Sequence, residues 1–401
     1  MMEIVKIVRI ITRLNVGGPA IHSVLLTAGL DKNRFRTLLV AGSIGPDEGD
    51  MRYYAQEKGV SVEYIPELRR ELSLKNDLRA FLKIYRLLKK EKPRILHTHT
   101  SKAGTLGRCA GILYNLLSFR DAKKITLVHT FHGHVLSGYF TRAQNFFFTL
   151  IERWLGMFTD RIIIVSDSVR KELLSLKIAS PGKMEVIPLG FELDKFFSIP
   201  CPPDPREQLH IGIVGRLVPI KNHRLFLRTA ARFAKEYADI KARFTIIGDG
   251  ELRNSLEDLT DSLGLRRIVE FSGWRKDIEN VYAQLDIVML TSDNEGTPVS
   301  LIEAMASARP VVAPDVGGVR DLLGLETAVE NGKKLKFNFM ERGLLVESGD
   351  ESGFVAALTF LAANKETRKK LGLSGRDFVK SFYSKERLIH DIETLYQDLL
   401  K

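Results

Sequence analysis

Two glutamates eight positions apart frame a segment that could recognise a ligand carrying both phosphate and hydroxyl groups. The segment reads Glu295-Gly-Thr-Pro-Val-Ser-Leu-Ile-Glu303 and follows an apolar run and a polar turn. Thr297 suits a helix N-cap and Pro298 the first helical position, so a helix is predicted to run through Ala308. Free N–H groups at a helix start bind anions, whereas carboxylates accept hydrogen bonds from hydroxyls. The spacing alone is equally consistent with a surface loop acid and a helix-stabilising glutamate.

A basic turn precedes this segment, in the stretch Gly212-Ile-Val-Gly-Arg-Leu-Val-Pro-Ile-Lys-Asn222. The planar guanidinium of Arg216 and the ammonium of Lys221 are suited to a diphosphate leaving group. Cations so placed stabilise the charge that develops when a bond to phosphate breaks. Considered singly, either residue is also explained as a solvated loop side chain.

A glycine pair lies near the start of the chain, in Asn15-Val-Gly-Gly-Pro-Ala-Ile-His22. Gly17 and Gly18 would let the backbone approach a ligand closely, and the helix predicted to open at Pro19 again favours phosphate. A plain strand-to-helix turn would have the same sequence. The GxGxxG fingerprint is absent from this turn, which argues against a dinucleotide-dependent dehydrogenase.

Five histidines follow two predicted strands and could suggest a metal site or the lining of a cleft. They are His97, His99, His129, His132 and His134. The sequence has no Asp-x-Asp triplet, and no acidic residue lies beside these histidines. We therefore predict neither a metal site nor a bound cofactor.

Short β-branched runs alternate with amphipathic stretches along the chain, a pattern typical of parallel α/β sheets. Strands are predicted near residues 4–11, 36–41, 60–65, 94–98, 125–130, 161–165, 210–215, 243–248, 268–273, 286–290 and 310–313. Four prolines between Ile199 and Arg206 cannot continue a helix or a central strand, so this segment is predicted to be a linker.

Two doubly wound, Rossmann-like α/β domains are therefore expected, over residues 1–198 and 207–384. An apolar stripe on residues 385–401 predicts a last helix that packs back on the first domain. Two such domains joined by a linker would face a central cleft at the carboxyl ends of their strands, where folds of this type bind ligands.

The composition is that of an ordinary soluble protein, with 44% hydrophobic and 27% charged residues. Two cysteines, Cys109 and Cys201, form no CxxC pair, which favours a reducing, cytoplasmic compartment. Charged residues interrupt the apolar N-terminal segment, so it is predicted to be a core strand, not a signal peptide. No uncharged apolar run approaches the ~20 residues that span a bilayer, and an integral membrane protein is not expected.

The net charge of +11 is unevenly distributed. Residues 1–200 hold 31 Lys and Arg against 19 Asp and Glu, a net charge of +12, whereas the remainder is at −1. The excess is either a solvated surface or an attraction to anionic lipid or a polyanionic substrate. Nucleic acid is not an expected partner, because the basic residues are not interleaved with stacking aromatics.

Taken together, these residues resemble the retaining GT-B glycosyltransferases of family 4, also called glycosyltransferase group 1. The resemblance covers essentially the whole chain and is strongest over residues 212–222, 246–253 and 291–323. It implies that Arg216 and Lys221 bind the donor diphosphate, that Glu303 holds the ribose hydroxyls, and that Glu295 contacts the transferred sugar. The backbone from Gly296 through Thr297 and Pro298 to Val299 would contact sugar and phosphate.

In the N-terminal half, the resemblance implies that Gly17 and Gly18 cap the diphosphate and that His132 contacts the donor sugar at the reacting centre. The implied reaction is transfer with retention of configuration from a nucleotide-sugar, most commonly a UDP-sugar, without a metal. Rival enzymes are a UDP-sugar 2-epimerase of the same fold and a sugar phosphorylase, although no lysine context for pyridoxal phosphate is evident. A non-catalytic sugar-nucleotide binding protein is a further alternative.

The acceptor is expected to be a saccharide or a lipid-linked saccharide in the synthesis of surface polysaccharide or lipopolysaccharide. The predicted helix Ser73–Lys92 carries an apolar stripe among basic residues, formed by Leu78, Phe81, Leu82, Tyr85 and Leu88. This stripe either packs on the sheet or lies on a membrane surface. The aromatic stretch Tyr139–Trp154 is likewise expected either to pack inside the protein or to lie on a membrane surface. Peripheral attachment to an anionic cytoplasmic membrane face is therefore a hypothesis.

Overall fold

The computed structural model describes residues 4–45, 49–118, 124–133, 142–202, 208–327 and 335–401. The chain forms two compact units. Unit 1 comprises Met1–Phe191 together with Lys385–Lys401, and unit 2 comprises Glu192–Ser384.

Unit 1 is a doubly wound α/β domain, as predicted. Its strands are β1 (Val5–Arg13), β2 (Phe35–Gly42), β3 (Val62–Tyr64), β4 (Ile95–His99), β5 (Thr126–Phe131), β6 (Arg161–Ile164) and β7 (Met184–Val186). Its helices are α1 (Gly18–Gly29), α2 (Arg52–Glu57), α3 (Leu74–Glu91), α4 (Ser101–Leu117), α5 (Arg142–Phe158) and α6 (Asp167–Ser175), with a 3₁₀ turn at Pro181–Lys183. The C-terminal helix, named below, also belongs to this unit.

The sheet of unit 1 has the strand order β3-β2-β1-β4-β5-β6-β7, and all of its pairings are parallel. Parallel strands covered on both faces are apolar throughout, which explains the near-continuous apolar sequence of β1. Helices α3, α4 and α5 pack on one core cluster, which includes Ile84, Ala110 and Leu155. The strand order changes direction between β1 and β4, and the carboxyl ends of these strands therefore form the ligand-binding edge expected for the fold.

Unit 2 repeats the same architecture. Its helices are α7 (Asp194–Phe197), α8 (His223–Glu236), α9 (Arg253–Ser262), α10 (Ile278–Gln284), α11 (Val299–Ala306), α12 (Val319–Leu323), α13 (Glu351–Ala363) and α14 (Lys365–Phe382), with a 3₁₀ turn at Pro219–Lys221. Its strands are β8 (Leu209–Val214), β9 (Ala242–Ile247), β10 (Val269–Gly273), β11 (Ile287–Met289), β12 (Val311–Pro314), β13 (Asn338–Met340) and β14 (Gly343–Val346). The strand order is β10-β9-β8-β11-β12-β14-β13, antiparallel only between β13 and β14.

The last helix, α15 (Lys385–Leu400), packs on unit 1. Its apolar residues Leu388, Ile392 and Leu395 join a cluster that includes Leu26 of α1 and Val128 of β5. The chain thus returns to its first unit, and α15 closes the face of the sheet opposite α3, α4 and α5.

The chain passes from unit 1 to unit 2 before the proline-rich segment, at Phe191 and Glu192. Helix α7 already packs on unit 2, where Phe196 contacts the ring of Tyr282. Arg309 donates to the Pro200 carbonyl and Arg376 to the Ile199 carbonyl, both from within unit 2. Unit 2 therefore holds Ile199 and Pro200, and the chain enters that unit at Glu192.

Three short strands, β7, β13 and β14, were not predicted. Each has three or four residues, too few to establish an alternating or continuously apolar pattern. Across the described residues, no helix is both long enough and apolar enough to cross a membrane.

Candidate active site

The functional residues predicted in unit 2 gather at the carboxyl ends of β8 and β11. These neighbouring strands pair in parallel, with Ile287 opposite Ile211, and the strand order reverses between them. Arg216 and Lys221 follow β8, whereas Glu295 and the start of α11 follow β11. This is the position at which open α/β sheets bind their ligands.

The loops after β8 and β11 are joined by hydrogen bonds. The Thr291 hydroxyl lies 3.1 Å from the Lys221 carbonyl and 3.0 Å from that of Asn222. The Asn222 amide donates to Asp293 at 2.8 Å, and its side-chain oxygen caps α8. Asn222 has a left-handed backbone, with φ of 48°, which turns the chain from the 3₁₀ turn into α8. These contacts fix Lys221 relative to the start of α11.

Lys221 and Glu295 form a short ion pair. The Lys221 Nζ lies 2.5 Å from Glu295 Oε1, and the Ser292 hydroxyl donates to the same oxygen at 2.6 Å. Both side chains of this pair are largely buried, since 9% of the Glu295 side chain and 23% of the Lys221 side chain are exposed. The Lys221–Glu295 pair lies beside the start of α11, where a ligand with both hydroxyls and phosphates could bind.

Arg216 lies at the same edge and is partly buried. In the described part of the chain, its guanidinium makes no hydrogen bond or ion pair. Its five donors are therefore available to an anion. Of the two predicted diphosphate ligands, Lys221 is paired with Glu295, whereas Arg216 has no side-chain partner among the described residues.

The start of α11 differs from the predicted one. Pro298 has an extended backbone, with ψ of 110°, and occupies the N-cap position, so the helix begins at Val299. Thr297 does not cap the helix, and its buried hydroxyl has no partner among the described residues. The helix ends at Ala306, two residues before the predicted end, and Ala308 has φ of 52°. Pro298 has no N–H to donate, so the anion-binding amides here come from its neighbours.

Glu303 lies one turn into α11, and the Tyr282 hydroxyl donates to its Oε2 at 3.0 Å. Burial raises the pKa of Glu303 to about 7, and the hydrogen bond from Tyr282 opposes this rise. A carboxyl group with this pKa is partly protonated at neutral pH. It could accept hydrogen bonds from a vicinal diol once ionised.

A close backbone approach shapes the adjoining loop after β9. A Cβ added to Gly248, whose φ is 133°, would lie 1.9 Å from the Gly215 carbonyl oxygen. The Leu217 N–H donates to the Asp249 carbonyl at 3.0 Å. Gly248 therefore lets the loop after β9 support the turn that carries Arg216.

In unit 1, the glycine turn and His132 lie beyond the carboxyl ends of β1 and β5. Helix α1 begins at Gly18, with Gly17 as its N-cap residue, one position before the predicted start. The Gly17 carbonyl accepts the N–H groups of Ala20 and Ile21. Burial lowers the pKa of His132 to about 3, so this imidazole is neutral at physiological pH.

The predicted histidines do not form one group. His129 is buried against Thr98, and His97 bonds to Tyr396 and Thr130, so both are satisfied core residues. His99 contacts His132, with 3.0 Å between His99 Nδ1 and His132 Nε2. His134 lies outside the described residues.

Sequence reasoning missed His22, on the inner face of α1. Its ring lies 5.0 Å from that of His132 and 5.5 Å from that of His99. The signal available was its position four residues after Gly18, on the side of α1 that faces the sheet. Ser292 and Tyr282, the partners of the two glutamates, were missed as well.

Two family profiles together match most of the chain. The profile described as Glycosyltransferase Family 4 matches residues 16–195, and that described as Glycosyl transferases group 1 matches residues 208–364. The chain is 28% identical over 368 residues to the UDP-Gal:alpha-D-GlcNAc-diphosphoundecaprenol alpha-1,3-galactosyltransferase of Escherichia coli, covering 88% of each chain. It is 25% identical to the capsular polysaccharide biosynthesis glycosyltransferase CapM of Staphylococcus aureus, over 89% of this chain and 90% of that one.

Solved structures match the fold of the whole chain. Anabaena HepE, crystallised in complex with UDP and glucose, superposes with a TM-score of 0.76 at 17% identity, over 98% of this chain and 99% of that one. Likeness at this level of identity concerns the fold, and it confirms the predicted GT-B architecture of two Rossmann-like domains. The protein therefore belongs to the group 1, family 4 glycosyltransferases of GT-B fold.

Proposed function

We propose that this glycosyltransferase moves a sugar, with retention of anomeric configuration, from a UDP-sugar to a hydroxyl of a lipid-linked saccharide. The observation that carries the proposal is the cluster of Arg216, Lys221, Glu295 and Glu303 around the start of α11. It combines two cations from the loop after β8 with two carboxylates and free backbone N–H groups from the segment after β11. A nucleotide-sugar presents the matching groups, namely a diphosphate, a ribose and a sugar.

Each residue has a distinct proposed role. Arg216 and Lys221 neutralise the diphosphate as it leaves, together with the N–H groups of Gly296, Thr297 and Val299. Because these groups supply the positive charge, transfer needs no metal at the diphosphate. Glu303 accepts from the ribose hydroxyls, and Glu295 contacts the sugar. Pro298 fixes the loop and adds an apolar contact only.

Retention is proposed to proceed on one face of the sugar. A double displacement of the glycosidase type uses two carboxyl groups about 5 Å apart, one as the nucleophile and one as the acid. Glu295 is held by Lys221 and Ser292, and Glu303 by Tyr282, so neither carboxylate is poised as the partner of the other. The leaving diphosphate oxygen would instead take the proton of the incoming hydroxyl.

Gly17, Gly18 and His132 are proposed to contact the same donor from unit 1. This assignment rests on the family resemblance. A neutral His132 can donate or accept one hydrogen bond with a sugar hydroxyl, which suits an uncharged ligand better than a protonated imidazole would.

A lipid-linked acceptor is supported by the relatives and by exposed apolar residues on unit 1. The Escherichia coli relative is named for an acceptor on diphosphoundecaprenol. On α3, the buried residues are Ala80, Ile84, Leu87 and Leu88, whereas Leu78 and Leu82 of the predicted stripe are 60% and 40% exposed. The stripe therefore does not pack on the sheet as a whole. Leu74, Leu78 and Leu82 form a separate exposed line among basic residues.

Helix α5 adds a second exposed apolar face. Its exposed residues are Phe146, Phe147, Leu150, Trp154, Met157 and Phe158. Because α3 and α5 pack on the same core cluster, their outer faces point away from the same side of the sheet. Apolar faces with a basic surround bind the interface of an anionic bilayer. We propose that unit 1 attaches peripherally to the cytoplasmic face of the plasma membrane.

Flotation with vesicles tests the attachment. Protein should co-float with phosphatidylglycerol-containing vesicles at low salt and less so at high salt. Leu78→Glu and Phe147→Glu should each reduce the floated fraction, whereas Trp274→Glu, which alters an exposed aromatic of unit 2, should not. Equal flotation of all variants, or none by the native protein, would contradict membrane attachment.

The donor is tested by thermal shift against UDP-, GDP- and ADP-glucose. UDP-glucose should raise the melting temperature most, because a ligand that binds only the folded state stabilises it by mass action. Stabilisation by none of the three would contradict the nucleotide-sugar site. Conversion of UDP-N-acetylglucosamine to its 2-epimer without an acceptor would favour the epimerase alternative instead.

A further inference from the structure

Tyr282 lies in the last turn of α10, and its hydroxyl group contacts two acceptors on α11. The hydroxyl oxygen lies 3.0 Å from the Ser300 carbonyl oxygen and 3.0 Å from Glu303 Oε2. The side chain is fully buried, and burial raises the pKa of the phenol well above its ordinary value. Tyr282 therefore keeps its proton throughout the neutral pH range and remains a hydrogen-bond donor.

A single phenol proton serves these two acceptors. A tyrosine hydroxyl has one proton to donate and lone pairs that accept. When Glu303 is protonated, its own O–H can donate to the Tyr282 oxygen while Tyr282 donates to the Ser300 carbonyl. When Glu303 is ionised, the Tyr282 proton turns to the carboxylate, because a hydrogen bond to a charged acceptor is the stronger one. The Tyr282 oxygen and Glu303 Oε2 thus stay paired in both protonation states.

Tyr282 is itself held in place by its backbone and by its ring. Arg309 is buried, and it donates from Nε to the Tyr282 carbonyl at 2.8 Å and from Nη2 to the Ala283 carbonyl at 3.2 Å. Carbonyls at the end of a helix are satisfied by such side-chain donors. The Phe196 ring meets the Tyr282 ring edge-on, with 5.8 Å between their centroids. The Tyr282 hydroxyl therefore has a fixed position relative to α11.

The second carboxyl oxygen of Glu303 is left for a ligand. Among the described residues, Glu303 Oε1 makes no hydrogen bond, and Glu303 is partly exposed. We propose that Tyr282 is a positioning residue for the donor, which holds Glu303 by Oε2 in both protonation states and presents Oε1 to the ribose hydroxyls. This inference rests on the proposed function, in which Glu303 binds the ribose.

The surroundings of α11 make Tyr282 the group that controls ionisation of Glu303. Burial raises the pKa of Glu303 to about 7, and the Tyr282 hydroxyl opposes this rise. Two cations on helices that pack against α11 are engaged elsewhere: Lys195 of α7 pairs with Glu279 of α10, and Arg376 of α14 donates to two backbone carbonyls. Strand β12, next to α11, carries no charged residue. Removal of the Tyr282 hydroxyl should therefore raise the pH at which Glu303 ionises.

The pH dependence of donor binding tests this role. UDP-glucose is titrated calorimetrically into native protein and Tyr282→Phe between pH 6 and pH 8.5. Half of the rise in affinity should be reached near pH 8 in the variant instead of near pH 7, because the ionised carboxylate loses one hydrogen bond. Binding by the variant should be about fivefold weaker than native at pH 7 but within about twofold at pH 8.5.

Tyr237→Phe is the matched control. Tyr237 packs on Phe233 at the end of α8 that is far from Lys221, and its variant should keep the native pH profile. A Tyr282→Phe profile that coincides with the native one, or that is lowered by the same factor at every pH, would overturn the positioning role.

Melting temperature measures the same contact without a donor. Tyr282→Phe should melt below native protein, and the difference should grow from pH 6 to pH 8.5 as Glu303 ionises without its hydrogen-bond donor. In a Glu303→Gln background the same substitution should have an effect that does not change with pH. A melting difference independent of pH in the native background would overturn the inference. If that difference grows with pH but native protein binds no UDP-sugar, the proposed function fails while the hold of Tyr282 on Glu303 stands, so the two failures are distinguishable.

Discussion

The Lys221 ammonium lies 2.5 Å from the Glu295 carboxylate, at the start of α11. The proposed diphosphate ligand and the proposed sugar ligand are thus paired with each other when no donor is bound. A bound diphosphate would compete with Glu295 for Lys221, and the released carboxylate could then accept from a sugar hydroxyl. Donor binding and orientation of Glu295 are therefore expected to be coupled.

Glu295→Gln should reduce kcat by about 10²–10³-fold, the range found when one group that stabilises a transition state is removed. UDP affinity should be unchanged or slightly stronger, because Lys221 loses its ionic competitor. Steady-state transfer kinetics and calorimetric UDP binding measure the two effects. Glu257→Gln is the matched control, because Glu257 forms an exposed ion pair with Arg253 on α9. A parallel loss of UDP affinity would contradict the assigned role of Glu295.

Donor binding should depend on pH through Glu303. Its pKa of about 7 means that the ionised form, which accepts from both ribose hydroxyls, predominates only above that pH. Affinity for UDP-glucose should therefore rise by up to about tenfold between pH 6 and pH 8. Calorimetry at several pH values measures this, and UDP-glucose is suitable because its diphosphate does not titrate there. If the affinity of Glu303→Gln for UDP-glucose rose by the same factor, a group other than Glu303 would be responsible for the pH dependence.

The Glu303 carboxyl group should lower the stability of the fold as pH rises, whereas it should raise the affinity for the donor. Its folded-state pKa lies above the ordinary value of 4.5, so folding favours the protonated form. The contribution of Glu303 to stability is therefore full below about pH 4.5 and is lost as pH rises through about 7. Relative to native protein, Glu303→Gln should gain melting temperature on going from pH 5 to pH 8. A difference that stays constant over this range would contradict the raised pKa.

His132→Ala should lower kcat by about 10–100-fold while UDP affinity stays within about twofold, since the imidazole is proposed to contact the sugar only. With a pKa of about 3, His132 stays neutral from pH 5 to 9, and kcat should show no step near 6.5 from this residue. His390→Ala, on the exposed face of α15, is the control. An unchanged kcat in His132→Ala would remove it from the site.

Tyr396 is expected to stabilise unit 1 through a buried hydroxyl shared by two partners. Arg9 Nη2 lies 3.0 Å and His97 Nδ1 2.6 Å from the Tyr396 hydroxyl oxygen. Tyr396→Phe leaves both without that partner and should cost about 1–3 kcal/mol of unfolding free energy. Chemical denaturation measures the loss. A change below about 0.5 kcal/mol would show that water replaces the hydroxyl.

The fold followed from the sequence because its strands are long apolar runs with helices between them. β1 and β8 have that form, and both parallel sheets were predicted from it. The four prolines predicted a linker from Ile199 to Arg206, whereas unit 2 begins at Glu192 and already includes Ile199 and Pro200. A proline pattern excludes regular structure, but it does not show what the segment packs against.

The candidate site was predicted in part. Arg216, Lys221, Glu295 and Glu303 were identified by residue type and family resemblance, and the structure groups them on two neighbouring strand ends. The partners of the two glutamates, Ser292 and Tyr282, were not predicted, because such side chains are common in any core or loop. Contacts between residues far apart in sequence depend on three-dimensional packing, which local pattern does not encode. The ion pair of Lys221 with Glu295, 74 residues apart, is such a contact.

We expect the two glutamates of the α11 segment to contact different parts of the donor, with Glu303 on the nucleotide and Glu295 on the sugar. Titration of UDP into native protein, Glu295→Gln and Glu303→Gln at pH 8 tests it most directly. UDP should bind at least tenfold more weakly to Glu303→Gln than to native protein, and no more weakly to Glu295→Gln. Equal UDP affinity in all three proteins, or a loss in Glu295→Gln alone, would contradict it.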